Sequence, residues 1–77
     1  MTMVGHSSSV TKLLLFKPGV LCSASWKTIK FWDVKTGNTI NTLEGHEGKV
    51  YDIILLKNGT LASVGQDKTI RLWKGKE

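Results

Sequence analysis

His46, Ser63 and Asp67 are of the three types that make a hydrolase triad, in which histidine takes the serine proton and a carboxylate orients the ring. His6 and Ser23 repeat the first two of them forty residues earlier, without an aspartate. Neither serine lies in a G-x-S-x-G elbow, the sharp turn that exposes a nucleophile above a sheet. A pair of sites of which one lacks its carboxylate is also a poor design for an enzyme. We therefore assign no catalytic residue. The single cysteine, Cys22, stands in no recognisable zinc spacing with the two histidines, so neither a metal nor a cofactor is expected.

Such side chains must be positioned by elements that a short chain can support. Seventy-seven residues make at most one small domain, and at this size folding buries only about 60% of the unfolded chain's surface. Cys22 alone excludes an intrachain disulfide and suggests a reducing interior. The formal charge of +5 comes with eleven lysines and arginines scattered along the chain. A solvated basic surface is expected from that pattern, and a nucleic-acid-binding module is the lesser alternative: no recognition helix, base-stacking motif or phosphate loop supports it. LLLF at 13–16 and IILL at 53–56 are far too short to span a bilayer, and MTMVGHSSS lacks the regions of a secretory signal. The expectation is a cytoplasmic or nuclear protein, not secreted, with no membrane partner.

The chain repeats itself. GHSSSV at 5–10 matches GHEGKV at 45–50, and Gly19-Val20-Leu21-Cys22-Ser23 matches Gly59-Thr60-Leu61-Ala62-Ser63, both at an offset of forty. KTIKFW at 27–32 then matches KTIRLW at 68–73 at an offset of forty-one, the extra residue being Asp67. Within each copy, apolar or β-branched runs alternate with turn signals, as consecutive antiparallel strands require. Seven strands are expected: 9–16, 20–24, 28–33 and 38–44 in the first copy, 50–56, 60–64 and 69–73 in the second. Asn58-Gly59 suits a two-residue turn in which both positions take positive φ. VTKLLLF and VYDIILL are almost continuously apolar, so both faces of each sheet are expected to be covered.

Gly45-His46, Leu61-Ala62-Ser63, Asp67 and Trp73, with Gly5-His6, Ser23 and Trp32-Asp33, resemble the WD-repeat β-propeller family over almost the whole chain. The resemblance implies an all-β fold of two four-stranded antiparallel blades, 5–44 and 45–77, with 1–4 as part of the outer strand of a preceding or neighbouring blade. It further implies a structural network of His46, Ser63, Asp67 and Trp73, and a partial one of His6, Ser23 and Trp32 in the blade whose turn lost its aspartate. That first blade is expected to be the weaker.

Two blades do not close a ring that takes four to eight. Homo-oligomerisation is expected to complete the propeller, three copies giving six blades and four copies eight. A piece of a larger propeller with no independent function is the alternative. The resemblance implies a non-enzymatic scaffold whose top face binds proteins or peptides. The partner-binding positions it carries over are Ser9, Thr11, Trp26, Lys49, Tyr51 and Gln66.

Overall fold

A computed structural model of the chain describes residues 2–74; Met1 and residues 75–77, the ends of the expected units, lie outside the described residues. Six strands follow one another: β1 (Lys12–Lys17), β2 (Val20–Ala24), β3 (Trp26–Asp33), β4 (Thr39–Leu55), β5 (Leu61–Gly65) and β6 (Ile70–Trp73). Each pairs antiparallel with its neighbour in sequence, in the order β1-β2-β3-β4-β5-β6.

The expected fourth and fifth strands are one. β4 runs without a break through Gly45-His46-Glu47-Gly48-Lys49 and changes partner on the way. Thr39 to Glu44 pair with β3, Lys49 faces Trp26, and Val50 to Leu55 pair with β5. The same strand is therefore the outer strand of the first blade and the inner strand of the second. Glycine makes the crossing possible, because a Cβ on Gly45 would stand 3.0 Å from the Trp73 ring. A side chain there would have to push the Trp73 ring aside, so glycine suits this close approach.

Residues 2–11 form no strand, whereas one was expected from Ser9. β2 ends at Ala24, whose carbonyl accepts the Thr11 N–H at 2.8 Å, so Ser9 and Val10 have no strand left to pair with. The Asn58-Gly59 turn also differs from expectation. Gly59 alone has positive φ, at 85°, and its N–H donates to Leu56 O, while the Leu56 N–H donates to Thr60 O. Lys57, Asn58 and Gly59 thus form a three-residue connection. Asn58 contributes through its side chain, Oδ1 accepting the Thr60 N–H at 3.0 Å.

The core lies where the blades meet. Cys22, Ala24 and Ile29 of the first blade are buried against Val50, Ile53 and Leu61 of the second. Phe16 and Phe31 close its rim as an edge-to-face pair with centroids 4.8 Å apart. Cys22 behaves there as a small apolar residue: burial pushes its thiol up to about 12, leaving no thiolate at neutral pH. Only the shared face of each blade is covered, contrary to the expectation from the continuous apolar runs. Leu13 and Leu15 of the first blade, and Ile54, Ile70 and Leu72 of the second, remain exposed on the outward faces.

Candidate functional site

In the second blade, adjacent strands bring a serine, a tryptophan and a histidine to one point. Ser63 on β5 pairs with Arg71 of β6, which places Trp73 two residues on, along the same face. The indole N–H of Trp73 donates to Ser63 Oγ at 2.9 Å, and Ser63 Oγ lies 2.7 Å from His46 Nε2. Nδ1 faces both carboxylate oxygens of Asp67 at 3.1 Å. The Asp67 carboxylate can only accept, which puts a ring proton on Nδ1 and leaves Nε2 to take the serine hydrogen.

Asp67 holds more than the histidine. It accepts the Thr69 hydroxyl at 2.7 Å, the Glu47 N–H at 2.9 Å and the Thr69 N–H at 3.2 Å. These donors, led by the Thr69 hydroxyl and the Glu47 amide, hold its carboxyl well below the usual carboxylate range. The arrangement looks like a triad, yet Ser63 and His46 are both buried. The serine oxygen and hydrogen are engaged by Trp73 and His46 inside the blade, so the group ties three strands and a turn together.

The first blade repeats the arrangement without its carboxylate. Trp32 donates to Ser23 Oγ at 2.7 Å and Ser23 lies 2.6 Å from His6 Nε2. The nearest group to His6 Nδ1 among its described partners is the Thr28 hydroxyl, at 3.4 Å. Burial first, and then the Lys30 charge, lower the pKa of His6. Thr28 and Thr69 were not anticipated as members. The repeated KTI ahead of Trp32 and Trp73 is the signal that could have found them.

The two turns differ in length. Ser25 N–H donates to Thr28 O across two residues, whereas Gly65 N–H donates to Thr69 O across three. Lys27 and Lys68 both take left-handed backbone, φ 66° and 68°, although neither is a glycine.

The residues expected to face partners gather beside these turns. Ser25 Oγ donates to Ser9 O at 2.7 Å, and the Thr11 hydroxyl donates to Val50 O at 2.7 Å. Lys49 stands opposite Trp26 and is bonded to Gln66 on its other side: the Gln66 N–H donates to Lys49 O at 2.8 Å, and Gln66 Oε1 accepts the Lys49 N–H at 3.3 Å. Backbone pairing thus links Trp26, Lys49 and Gln66, and the Ser25 and Thr11 hydroxyls tie Ser9 and Thr11 to the same strands. Tyr51 joins them only through its neighbour Val50. Trp26 is 43% exposed and Tyr51 54%. The Lys27 ammonium sits 5.9 Å from the Trp26 ring centroid, over one face of the ring.

The WD40 family model, described as WD domain, G-beta repeat, matches residues 1–33 and 37–74. The nuclear distribution protein PAC1 of Arthroderma otae is 39% identical over 94% of this chain, which covers 18% of that protein. The small ribosomal subunit protein RACK1 of Caenorhabditis elegans is 35% identical over 94% of this chain, which covers 26% of it. The chain therefore spans about a quarter or less of these curated relatives. The WD40 β-propeller domain of Doa1 superimposes on 88% of the chain with a TM-score of 0.85 and 42% identity, this chain covering 23% of it. A computationally designed protein, Ika4, superimposes on 94% with a TM-score of 0.79 and 30% identity, this chain covering 44% of it. Two matches to one family model across nearly the whole length, on two blades of the geometry described above, place this chain in the WD40 repeat family, whose propellers mediate protein–protein interaction.

Proposed function

We propose that this chain is a two-blade unit of a non-enzymatic protein-interaction propeller, cytoplasmic or nuclear, whose blades run over 5–44 and 45–77. Its binding face is formed by Ser9, Thr11, Trp26, Lys49, Tyr51 and Gln66. The observation that carries the proposal is the combination of two exposed aromatics with a rigid base. Trp26 and Tyr51 are large and half open to solvent, while the backbone beneath them is fixed by the bonds among Ser9, Ser25, Lys49, Val50 and Gln66. Aromatic side chains on a preorganised surface give affinity with little ordering cost. Lys27 and Lys49 beside them favour an acidic or backbone-carbonyl-rich peptide segment.

The two networks support the face from below. Asp67 fixes the Glu47 amide and the turn that carries Gln66, so the second half of the face is the better anchored. The test is selection of a peptide library against the chain, followed by titration of the winning peptide. Trp26→Ala and Tyr51→Ala are each expected to weaken binding by about tenfold or more. Lys35→Ala, in the exposed turn after β3, leaves it unchanged. Equal binding by all three variants and the wild type would overturn the assignment of this face.

A further inference from the structure

We infer that the outward face of one blade is the docking site for the opposite outward face of a second copy of this chain, so that copies join head to tail. The inference deepens the propeller reading above and rests on it. The junction between the two blades within one copy serves as its template.

At that internal junction Ile53 of the second blade is 1% exposed; its repeat equivalent Leu13, on the first blade, is 57% exposed. The reverse holds on the other side: Ile29 is buried in the junction and its equivalent Ile70 is 74% exposed. Each copy thus carries one uncovered face of each kind. The face of the second blade that holds Ile70 matches the face of the first that holds Leu13. Such a contact is heterologous and propagates until the rotation closes it into a ring.

Three further features select a second copy over an arbitrary apolar partner. Lys12 and Asp52 occupy equivalent positions in the repeat and form an ion pair across the internal junction at 3.3 Å. Head-to-tail docking places Asp52 of one copy beside Lys12 of the next, so the same two residues pair again with their blades exchanged. Among the described residues β6 pairs only with β5, whereas its equivalent β3 also pairs with Thr42, Leu43 and Glu44 of β4. The equivalents of those three residues are Thr2, Met3 and Val4, which form no strand in a single copy and are offered to β6 of the preceding one. Lastly, Lys30 donates to the Thr42 hydroxyl at 2.9 Å. Its equivalent Arg71 has a buried Nε with no acceptor among the described residues, and the equivalent of Thr42 is Thr2 of the second copy. A buried donor without an acceptor is costly and rare, and docking supplies one beside it.

The experiment is sedimentation equilibrium of the full chain over a hundredfold concentration range, with far-UV circular dichroism to confirm that each variant is folded. The wild type is expected to form one discrete closed species of three or four times 8.5 kDa. Leu13→Asp and Ile70→Asp, both at exposed positions, remain folded and sediment as single copies. Mixed together, they form a two-copy species and go no further, because each retains one intact face and the mixture makes only one good junction. Lys12→Asp alone weakens association several-fold, and the exchange Lys12→Asp with Asp52→Lys restores it. A folded wild type of 8.5 kDa throughout, an indefinite aggregate, or a mixture that stays at single-copy mass would each overturn the inference. Peptide binding lost on Trp26→Ala or Tyr51→Ala in a single-copy chain would leave the binding-face reading standing while the docking inference falls. A ring that selects no peptide would do the opposite.

Discussion

The two blades share a serine, a histidine and a tryptophan in nearly the same geometry and differ by one carboxylate. His46 has Asp67 at 3.1 Å, and His6 has only the Thr28 hydroxyl at 3.4 Å. The shared part comes from strands: register alone sets Ser23 beside Trp32 and Ser63 beside Trp73, and neither depends on the loop between them. The differing part comes from the loop, since a two-residue turn has no position from which a carboxylate can reach the ring. A network built on register survives the loss of a turn residue, and only its final anchor goes. The second blade is therefore expected to be the more rigid one, with the Glu47 and Thr69 amides fixed through Asp67.

The largest expected effect separates the faces and not the networks. Ile53→Ala removes a fully buried side chain from between the blades and should cost about 2–5 kcal/mol. Leu13→Ala at the equivalent outward position should cost less than about 0.5 kcal/mol at high dilution. Urea midpoints of the two variants provide the comparison. Equal losses would mean that the outward face is covered within a single copy.

Next comes the common element of both networks. Ser63→Ala leaves the Trp73 N–H and His46 Nε2 without their partner, and Ser23→Ala does the same to Trp32 and His6. Each should cost about 1–3 kcal/mol, the price of a buried polar group left unmet. A cheap Ser23→Ala beside an expensive Ser63→Ala would show that the first network is loose without its carboxylate. A smaller change sharpens the contrast directly. Inserting an aspartate after Trp26 lengthens the first turn to match the second and is expected to raise the thermal midpoint by about 2–5 °C. No rise would mean that the shorter turn is already well satisfied by Thr28 or by water.

Much of this was legible in the sequence because repeats leave a double record. Offsets of forty and forty-one pointed to most of the strand positions, the turn glycines and the serine, histidine and tryptophan of each blade, since a strand's alternating pattern and its register are written in the same residues, whereas Thr28 and Thr69 went unread. Where one strand continued into the next it was not legible: Gly45-His46 reads as a turn, and only the close approach of the backbone to Trp73 shows that it is the middle of β4. The left-handed lysines left no signal either. A positive φ predicts glycine or asparagine, and Lys27 and Lys68 are held there by the pairing of the flanking strands instead. The outward faces were misjudged for a physical reason as well. Continuous apolar strands specify that both faces be covered, but not by what, and a single copy covers one.

The smallest effect distinguishes the networks by pH. His6 is held below its ordinary value by burial and by Lys30, so the folded chain resists the proton that the unfolded chain accepts. Wherever the unfolded state binds more protons, stability falls as pH falls. The His6 contribution is therefore complete above pH 6.5, the ordinary histidine value, and is lost as the pH drops through the window below it. Asp67 is shifted in the same direction for a different cause, its donors, and from a lower starting point. Its contribution is complete above pH 3.8 and is lost only in stronger acid. Acidification should then loosen the first blade before the second. Amide protection, taken relative to the intrinsic exchange rate at each pH, is expected to fall first in β2 and β3 between pH 7 and pH 5, while β5 and β6 hold, and His6→Gln should remove that early phase and leave the later one in place. Simultaneous loosening of both blades would show that they open as one cooperative unit, in which a local difference in protonation cannot be expressed locally.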